Sequence, residues 1–545
     1  MRGNSLYEKL KKYEASDFYG FHMPGHKRNT ELMGQGLPYG IDITEIDGFD
    51  DLHHADGILL ELEQRIAKLY GADRSRILIN GSTAGIMSAI LGCVDRGGKL
   101  LVARNCHKSV YHAMELGGLE SVYLYPEFDT TWEINGVIEP GQIKAALEAD
   151  SEIQAVMLVS PTYDGVVSDI RTIAEIVHSY QIPLIVDEAH GAHFGFHPYF
   201  PENSNRCGAD VVIHSLHKTL PAPTQTAVLH INGTIAKEEQ IWHYLNMLQT
   251  SSPSYILMAG IDRCVGLLER EKEISKANEK GQALLEKEQY GFRQYVARLE
   301  GLRTELQESL QNLKLVEPEM RKSQRLTPTT WNLGTAGLRK PESERKEGNA
   351  EEEKDKGVSE GHVGKSGLKI GYMEYDKSKI LISTKRCSKT SEEIYKLLLE
   401  KYHLQMEMRA GSYILAMTSI ADTDAGFERL KQALLELDKS CRFISTERTE
   451  GAGVSFALPR TELVYLPGKA EDFRRKNQTE CCRFEEAEGR ISLEYAYLYP
   501  PGIPLLVPGE RISGEVISQL LGYQKQGFSI EGIREQGRLE VISHG

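Results

Sequence analysis

Seven short apolar runs recur through the first half of the chain, at 77–79, 100–103, 122–125, 155–159, 184–186, 211–213 and 227–231. Helix-like segments separate them, the clearest at 170–180. Strands that are apolar at consecutive positions must be covered on both faces. A chain that alternates such strands with helices therefore builds an α/β fold, a parallel or mixed sheet with helices on both sides. In such sheets ligands bind beyond the carboxyl ends of the strands. Just before the first run, Ile58, Leu59, Leu62, Ile66, Leu69 and Tyr70 recur at helical spacing, and Gly71 suits a C-cap.

The rest of the chain is organised around that core. Residues 1–20 are expected to form a short helix with Leu6, Leu10 and Tyr13 near one face. Residues 21–28 and 42–54 read as polar loops, where functional groups concentrate. Residues 235 to 315 read as helices. The run 339–366 is Glu, Lys, Gly and Ser with almost no apolar content, and is expected to be a disordered surface insertion. Strand and helix patterns resume at 380–383, 391–402, 412–419 and 424–439. The expected division is an N-terminal segment over 1–40, a large domain over 41–338, the charged insertion over 339–366 and a smaller α+β domain over 367–545.

Composition narrows the function classes. With 545 residues and 40% hydrophobic content, the chain can bury a large core in more than one domain. A formal net charge of -14 argues against a nucleic-acid binder held by phosphate contacts and is compatible with cationic substrates. The eight cysteines are scattered without zinc or CxxC spacing, so reduced thiols in a cytoplasm are expected, and no metal site. Met1 to Lys12 is charged and lacks the apolar core of a signal peptide. No apolar run is long enough to cross a membrane.

Chemistry-bearing residues fall repeatedly at the strand ends. Ser215-Leu216-His217-Lys218 follows the run 211–213. A lysine there can be desolvated, lose its proton and form a Schiff base with an aldehyde cofactor, while Ser215 and His217 donate to a phosphate. Alone, Lys218 reads as an ordinary surface lysine after a strand; upstream residues change that. Asn80-Gly81-Ser82-Thr83-Ala84-Gly85 follows a strand and opens a helix, with hydroxyls and a helix N-terminus that favour an anion. His107 follows the next strand and could stack on a flat ring. Asp187, ahead of Glu188-Ala189-His190, ends another strand, where a carboxylate could hold a pyridinium nitrogen protonated. Together a phosphate cup, a stacking histidine, an aspartate and a lysine make a site for pyridoxal 5'-phosphate.

The chain resembles the ornithine/lysine/arginine decarboxylase family of fold-type I (aspartate aminotransferase-like) pyridoxal phosphate enzymes. The matching blocks are His22-Met23-Pro24-Gly25-His26-Lys27, Thr44-Glu45 with Asp50-Asp51-Leu52-His53, Asn80-Gly81-Ser82-Thr83, Pro161-Thr162-Tyr163-Asp164-Gly165, Asp187-Glu188-Ala189-His190, Ser215-Leu216-His217-Lys218, and Tyr499-Pro500-Pro501-Gly502-Ile503-Pro504 to Pro508-Gly509-Glu510. The chain starts directly on the first block and so resembles the shorter, wingless members. The resemblance implies that Lys218 carries the cofactor, Asp187 pairs with its ring nitrogen and His107 stacks on its ring. It further implies that Ser82, Thr83, Ser215 and His217 hold the phosphate, and that His190 lies near the ring. It implies a homodimer with the site at the subunit interface, where Ser251 and Ser252, in Thr250-Ser251-Ser252-Pro253, reach the partner's phosphate group.

The reaction that the resemblance implies is loss of carbon dioxide from a basic amino acid. His217 and Lys218 are the candidates for proton donor to the product carbon. A cationic side chain calls for a carboxylate, and Asp50, Asp51, Glu494 and Glu510 are the candidates, with His26 in the first block. Arginine to agmatine is the expected activity, in polyamine metabolism, with lysine or ornithine as runner-up substrates. An aminotransferase on the same fold is the rival enzyme, distinguished by a keto acid product. An inactive regulatory homologue is the rival of another class, which intact Lys218, Asp187 and His107 argue against.

Overall fold

The computed structural model describes residues 15–21, 25, 27, 29–33, 45, 49–279, 290–318, 374–444 and 456–543. The 339–366 insertion and His26 lie outside them.

The seven expected strands form one sheet: β1 (Arg74–Leu78), β2 (Lys99–Ala103), β3 (Glu120–Leu124), β4 (Ile153–Val159), β5 (Leu184–Asp187), β6 (Val211–His214) and β7 (Ala227–Ile231). Their spatial order is β1-β7-β6-β5-β4-β2-β3. Strands β3, β2, β4, β5 and β6 are mutually parallel, and β7 runs antiparallel between β6 and β1. Every residue of β5, β6 and β7 is buried, which is why these segments read as unbroken apolar runs. Burying Val211, Val212 and Ile213 contributes on the order of 6 kcal/mol before ordering costs.

Helices cover the sheet. α1 (Ile58–Tyr70) ends at Gly71, whose positive φ of 73° lets its N–H reach Ala67 O. α2 (Gly81–Cys93), α3 (Lys108–Gly117) and α4 (Ile170–Ser179) share one core with the sheet, and α4 is capped by Asp169 accepting from Thr172 N. After β6 comes the single turn α5 (Leu216–Thr219), and after β7 α6 (Glu238–Leu248) and the long α7 (Tyr255–Glu279). α1 and α7 belong to a second core, which continues into the smaller domain.

That domain is built on β8 (Lys314–Leu315), β9 (Lys379–Ser383), β10 (Met408–Ala410) and β11 (Tyr413–Met417), in the antiparallel order β8-β9-β11-β10. α8 (Phe292–Ser309) and α9 (Asp424–Ser440) pack on it. Since Lys314 pairs with Ser383, the smaller sheet begins before the expected boundary at 338. A two-residue strand has no periodicity to announce it. Residues 456–543 carry a core of their own around Phe484, Leu506, Val516, Leu520, Leu539 and Val541, so the expected unit 367–545 is not built around one core.

Two further readings change. Residues 1–14 of the expected N-terminal helix lie outside the described residues, and at its end Tyr19–Phe21 is a strand, parallel to Leu404–Met406, with Tyr19 donating to Asp422 at 2.6 Å. Cys387 and Cys441 form a disulfide where free thiols were expected. The fold brings their Cα atoms to 5.8 Å across 54 residues of sequence, a separation at which two cysteines can bridge. Among the described residues, no helix is long and apolar enough to cross a membrane.

Candidate active site

The carboxyl edge of the sheet gathers most of the expected groups. At the end of β6, Ser215 leaves the strand in an extended conformation and α5 begins, which carries Lys218 back toward the neighbouring strand β5. Lys218 Nζ lies 3.1 Å from His190 Nε2. Among the described residues no carboxylate sits within ion-pair distance of it. Desolvation pulls its pKa down, against the attraction of Asp187 and Glu407 and together with repulsion from Lys379. A partly buried lysine of this kind gives up its proton readily and becomes a nucleophile.

Asp187 ends β5, is 4% exposed, and accepts from Ala189 N at 3.0 Å. Burial pushes its carboxyl up, and the nearby Lys218 charge opposes that. A cation delivered to this carboxylate is therefore stabilised by it, as a protonated ring nitrogen requires. His107 caps α3 and accepts from Ser109 N at 3.2 Å. Burial, with Lys218 nearby, lowers its pKa to about 3 and leaves a neutral, flat ring. His190 is also kept neutral by burial, and Tyr163 packs on it with ring centres 4.5 Å apart. His217 bonds Thr226 O at 2.8 Å through Nδ1, and burial lowers its pKa to about 4.

The residues fit an anion beside the lysine. Ser215 Oγ and Thr219 Oγ1 are buried and take no hydrogen bond among the described residues. Two idle hydroxyls in a packed interior are costly unless a ligand uses them. The start of α2 presents Ser82, half-buried, and Thr83, exposed, with the unpaired N–H groups of a helix N-terminus. Lysine, aspartate, stacking histidine and hydroxyls together match pyridoxal phosphate in charge and shape.

Other candidates are engaged elsewhere. Asp50 accepts from the backbone N of Asp51, Asp56, Gly57 and Leu59, and these bonds bring its pKa to about 2 despite partial burial. Asp51 caps the following turn through His53 N and bonds the His54 ring. Glu494 accepts from Arg534 N and Glu540 N, each at 2.9 Å. Glu510 is fully buried against Arg104 at 3.3 Å. Asp50, Glu494 and Glu510 are thus spent within the fold, while Asp51 stays 40% exposed beside His54. Ser251 and Ser252 are exposed and join no part of the Lys218 cluster.

Several neighbours of Lys218 escaped the sequence reading. Lys379, fully buried, is held by Asp376 at 3.0 Å, and Asp376 also meets His193 Nε2 at 3.1 Å. Tyr163 donates to Glu407, and Asp164 accepts from Tyr413 at 2.6 Å. The block Pro161-Thr162-Tyr163-Asp164-Gly165 past β4 was the available signal for the last two. Lys379 takes its partner Asp376 from three residues upstream, and only the fold brings that pair beside Lys218 and His193.

This sheet, with a lysine just beyond one strand and a buried aspartate closing the next, defines a fold-type I pyridoxal phosphate enzyme. The sequence profile of the major domain described as Orn/Lys/Arg decarboxylase matches residues 4–333, and that of its C-terminal domain matches residues 455–532. The uncharacterized protein YaaO of Bacillus subtilis is 31% identical over 522 residues, 94% of this chain and 93% of that protein. An arginine decarboxylase of Bacillus anthracis is 28% identical over 534 residues, covering 97% of this chain and 94% of its own. The solved lysine decarboxylase A of Pseudomonas aeruginosa shares the fold at a TM-score of 0.68 and 19% identity, over 98% of this chain and 80% of that one. The chain belongs to the Orn/Lys/Arg decarboxylase family.

Proposed function

We propose that the protein decarboxylates arginine to agmatine and carbon dioxide, using pyridoxal phosphate. The observation that carries the chemistry is Lys218, stripped of a carboxylate partner and desolvated, next to a buried Asp187 one strand away. Full-length likeness to an arginine decarboxylase favours arginine over lysine and ornithine. Bound at Lys218, the cofactor supplies an electron sink for the bond that breaks at the substrate α-carbon.

The side chains have separate tasks. Lys218, its pKa lowered by burial, would hold the cofactor covalently, with His190 Nε2 3.1 Å from its Nζ. Asp187 keeps the ring nitrogen protonated. His107 packs its neutral ring on the cofactor, and Ser82, Thr83, Ser215 and Thr219 donate to the phosphate. Lys218 returns a proton to the product carbon, since His217, neutral with its Nδ1 on Thr226 O, has none to spare. The substrate carboxylate needs no tight clamp, because holding it in the ground state would not lower the barrier.

The same reading includes a homodimer in the cytoplasm, serving polyamine formation. Ser251 and Ser252, exposed and remote from their own cluster, support a role across a subunit interface. The test is product analysis after incubation of the holoenzyme with arginine, lysine and ornithine together. Agmatine and carbon dioxide are expected to dominate. Cadaverine or putrescine would move the substrate, and a keto acid would refute decarboxylation.

A further inference from the structure

Beside the Lys218 cluster lies a cavity of about 110 Å³, walled by the three packed units. Asn105 and Asn135 of the large domain line it, with Asp164 after β4, Tyr413 of the small domain, and Phe456 and Tyr523 of the last unit. Two side chains, Tyr163 and His190, link it to the lysine. Tyr163, which precedes Asp164, packs on His190, and His190 meets Lys218. Asn105 stands two residues before His107 in the loop that follows β2.

Several acceptors of the polar lining lack donors, while Glu133, also in the wall, is engaged by Ser412 Oγ at 2.6 Å and Lys385 at 3.3 Å. Asn105, only 4% exposed, has a buried Oδ1 with no hydrogen-bond partner among the described residues, as does Asn135 Oδ1. Asp164 spends one oxygen on Tyr413 at 2.6 Å, and no described residue donates to the other. Arg409 also borders the cavity, but its guanidinium donates to Gln526 O at 3.0 Å and lies 4.0 Å over the Phe528 ring. The remaining walls are mostly apolar, with Phe128, Phe456 and Tyr523 offering ring faces that favour a cation among aliphatic and proline side chains. Buried acceptors with no donor are costly, and a donor-rich cation would satisfy all of them at once. Burial without a cationic partner pushes the Asp164 carboxyl up to about 6.

We infer that this cavity receives the cationic end of the substrate side chain, with Asp164 as its carboxylate partner and Asn105 and Asn135 accepting its remaining N–H groups. The assignment rests on the decarboxylase reading and takes the place of Asp50, Asp51, Glu494 and Glu510. A guanidinium offers five donors in one plane, enough for three separate oxygens, whereas an ammonium offers three from one point.

The test is calorimetric titration of agmatine into the holoenzyme, with cofactor occupancy followed by absorbance. Asp164→Asn should weaken agmatine at least 30-fold and Asn105→Ala about 5-fold, both at unchanged cofactor content. In turnover, KM for arginine should rise much more than kcat falls. Asn105→Ala removes a side chain that bonds no described residue, so it decides the question if Asp164→Asn fails to fold. Equal agmatine affinity in wild type and in the folded variants would overturn the assignment. A wild type that binds agmatine through Asp164 yet releases no carbon dioxide from arginine would refute the decarboxylase reading and leave the cavity assigned. One that decarboxylates arginine while its variants bind agmatine as tightly would do the reverse.

Discussion

Arg104 and Glu510 lie 3.3 Å apart with neither side chain exposed, and they tie the end of β2 to the last unit of the chain. Arg104 also donates to Pro504 O and, at 3.2 Å, to Leu505 O. Removing one member of a buried pair strands the other's charge. Glu510→Ala should therefore cost about 3–5 kcal/mol of stability, read as the denaturant midpoint of the transition that reports on this unit. A loss under about 1 kcal/mol would mean that water or another group already compensates Arg104.

The same junction presses on the active site through Gly502. Its φ of 80° suits glycine, its O accepts from Lys108 N at 3.0 Å, and an added Cβ would sit 3.2 Å from the His107 ring. Gly502→Ala should displace His107 and weaken pyridoxal phosphate binding about tenfold, measured by titrating the apoenzyme at the cofactor absorbance band. An unchanged affinity would show that His107 contributes nothing to holding the ring.

Asp187→Asn should keep cofactor binding while losing about a hundredfold in kcat, because a neutral amide cannot hold the ring nitrogen protonated. Fixed electrostatic contacts of this kind are commonly worth about 3 kcal/mol in the transition state. Wild-type kcat at saturating cofactor would rule out the role.

Behind the sheet runs a buried hydrogen-bonded chain. Ser204 Oγ meets Glu188 at 2.5 Å, Glu188 meets His214 at 2.6 Å, His214 meets His230 at 2.9 Å, and His230 meets Ser75 at 2.7 Å. Burial raises Glu188 to about 8 and lowers His214 to about 3, so at neutral pH the shared proton sits on Glu188. Glu188→Gln keeps a donor toward His214 and should change stability by less than about 1 kcal/mol, while Glu188→Ala should lose about 2–4. The pH dependence has a definite sign. An unfolded glutamate ionises near 4.5 and the folded one near 8, so between those values the native state binds the extra proton. Wild type should lose stability relative to Glu188→Gln as pH rises through that window, and hold a constant difference above it. No relative loss across the window would mean that folded Glu188 has already given up its proton beside a neutral His214.

Sequence and structure agree where the signal is local. The seven strands were legible because a strand covered on both faces is apolar at every position. Lys218, Asp187 and His107 were legible because polar groups at strand ends stand out against that pattern. The partners of the proposed substrate carboxylates were not, since Glu510 finds Arg104 across 406 positions. For the same reason the cavity is invisible in the sequence: Asn105, Asp164, Tyr413 and Tyr523 meet only when three units pack together. The two-residue strand β8 and the short strand at Tyr19–Phe21 were lost because they are too brief to show a period.

The central claim is that Lys218, and not a neighbouring lysine, carries the cofactor. Lys379 is the sharpest alternative, buried nearby but paired with Asp376 at 3.0 Å. Borohydride reduction of the holoenzyme fixes the cofactor to the lysine that holds it, and peptide mapping by mass spectrometry identifies that residue. The account predicts a single modified peptide containing Lys218. Modification of Lys379, Lys27 or any other lysine in its place would contradict it.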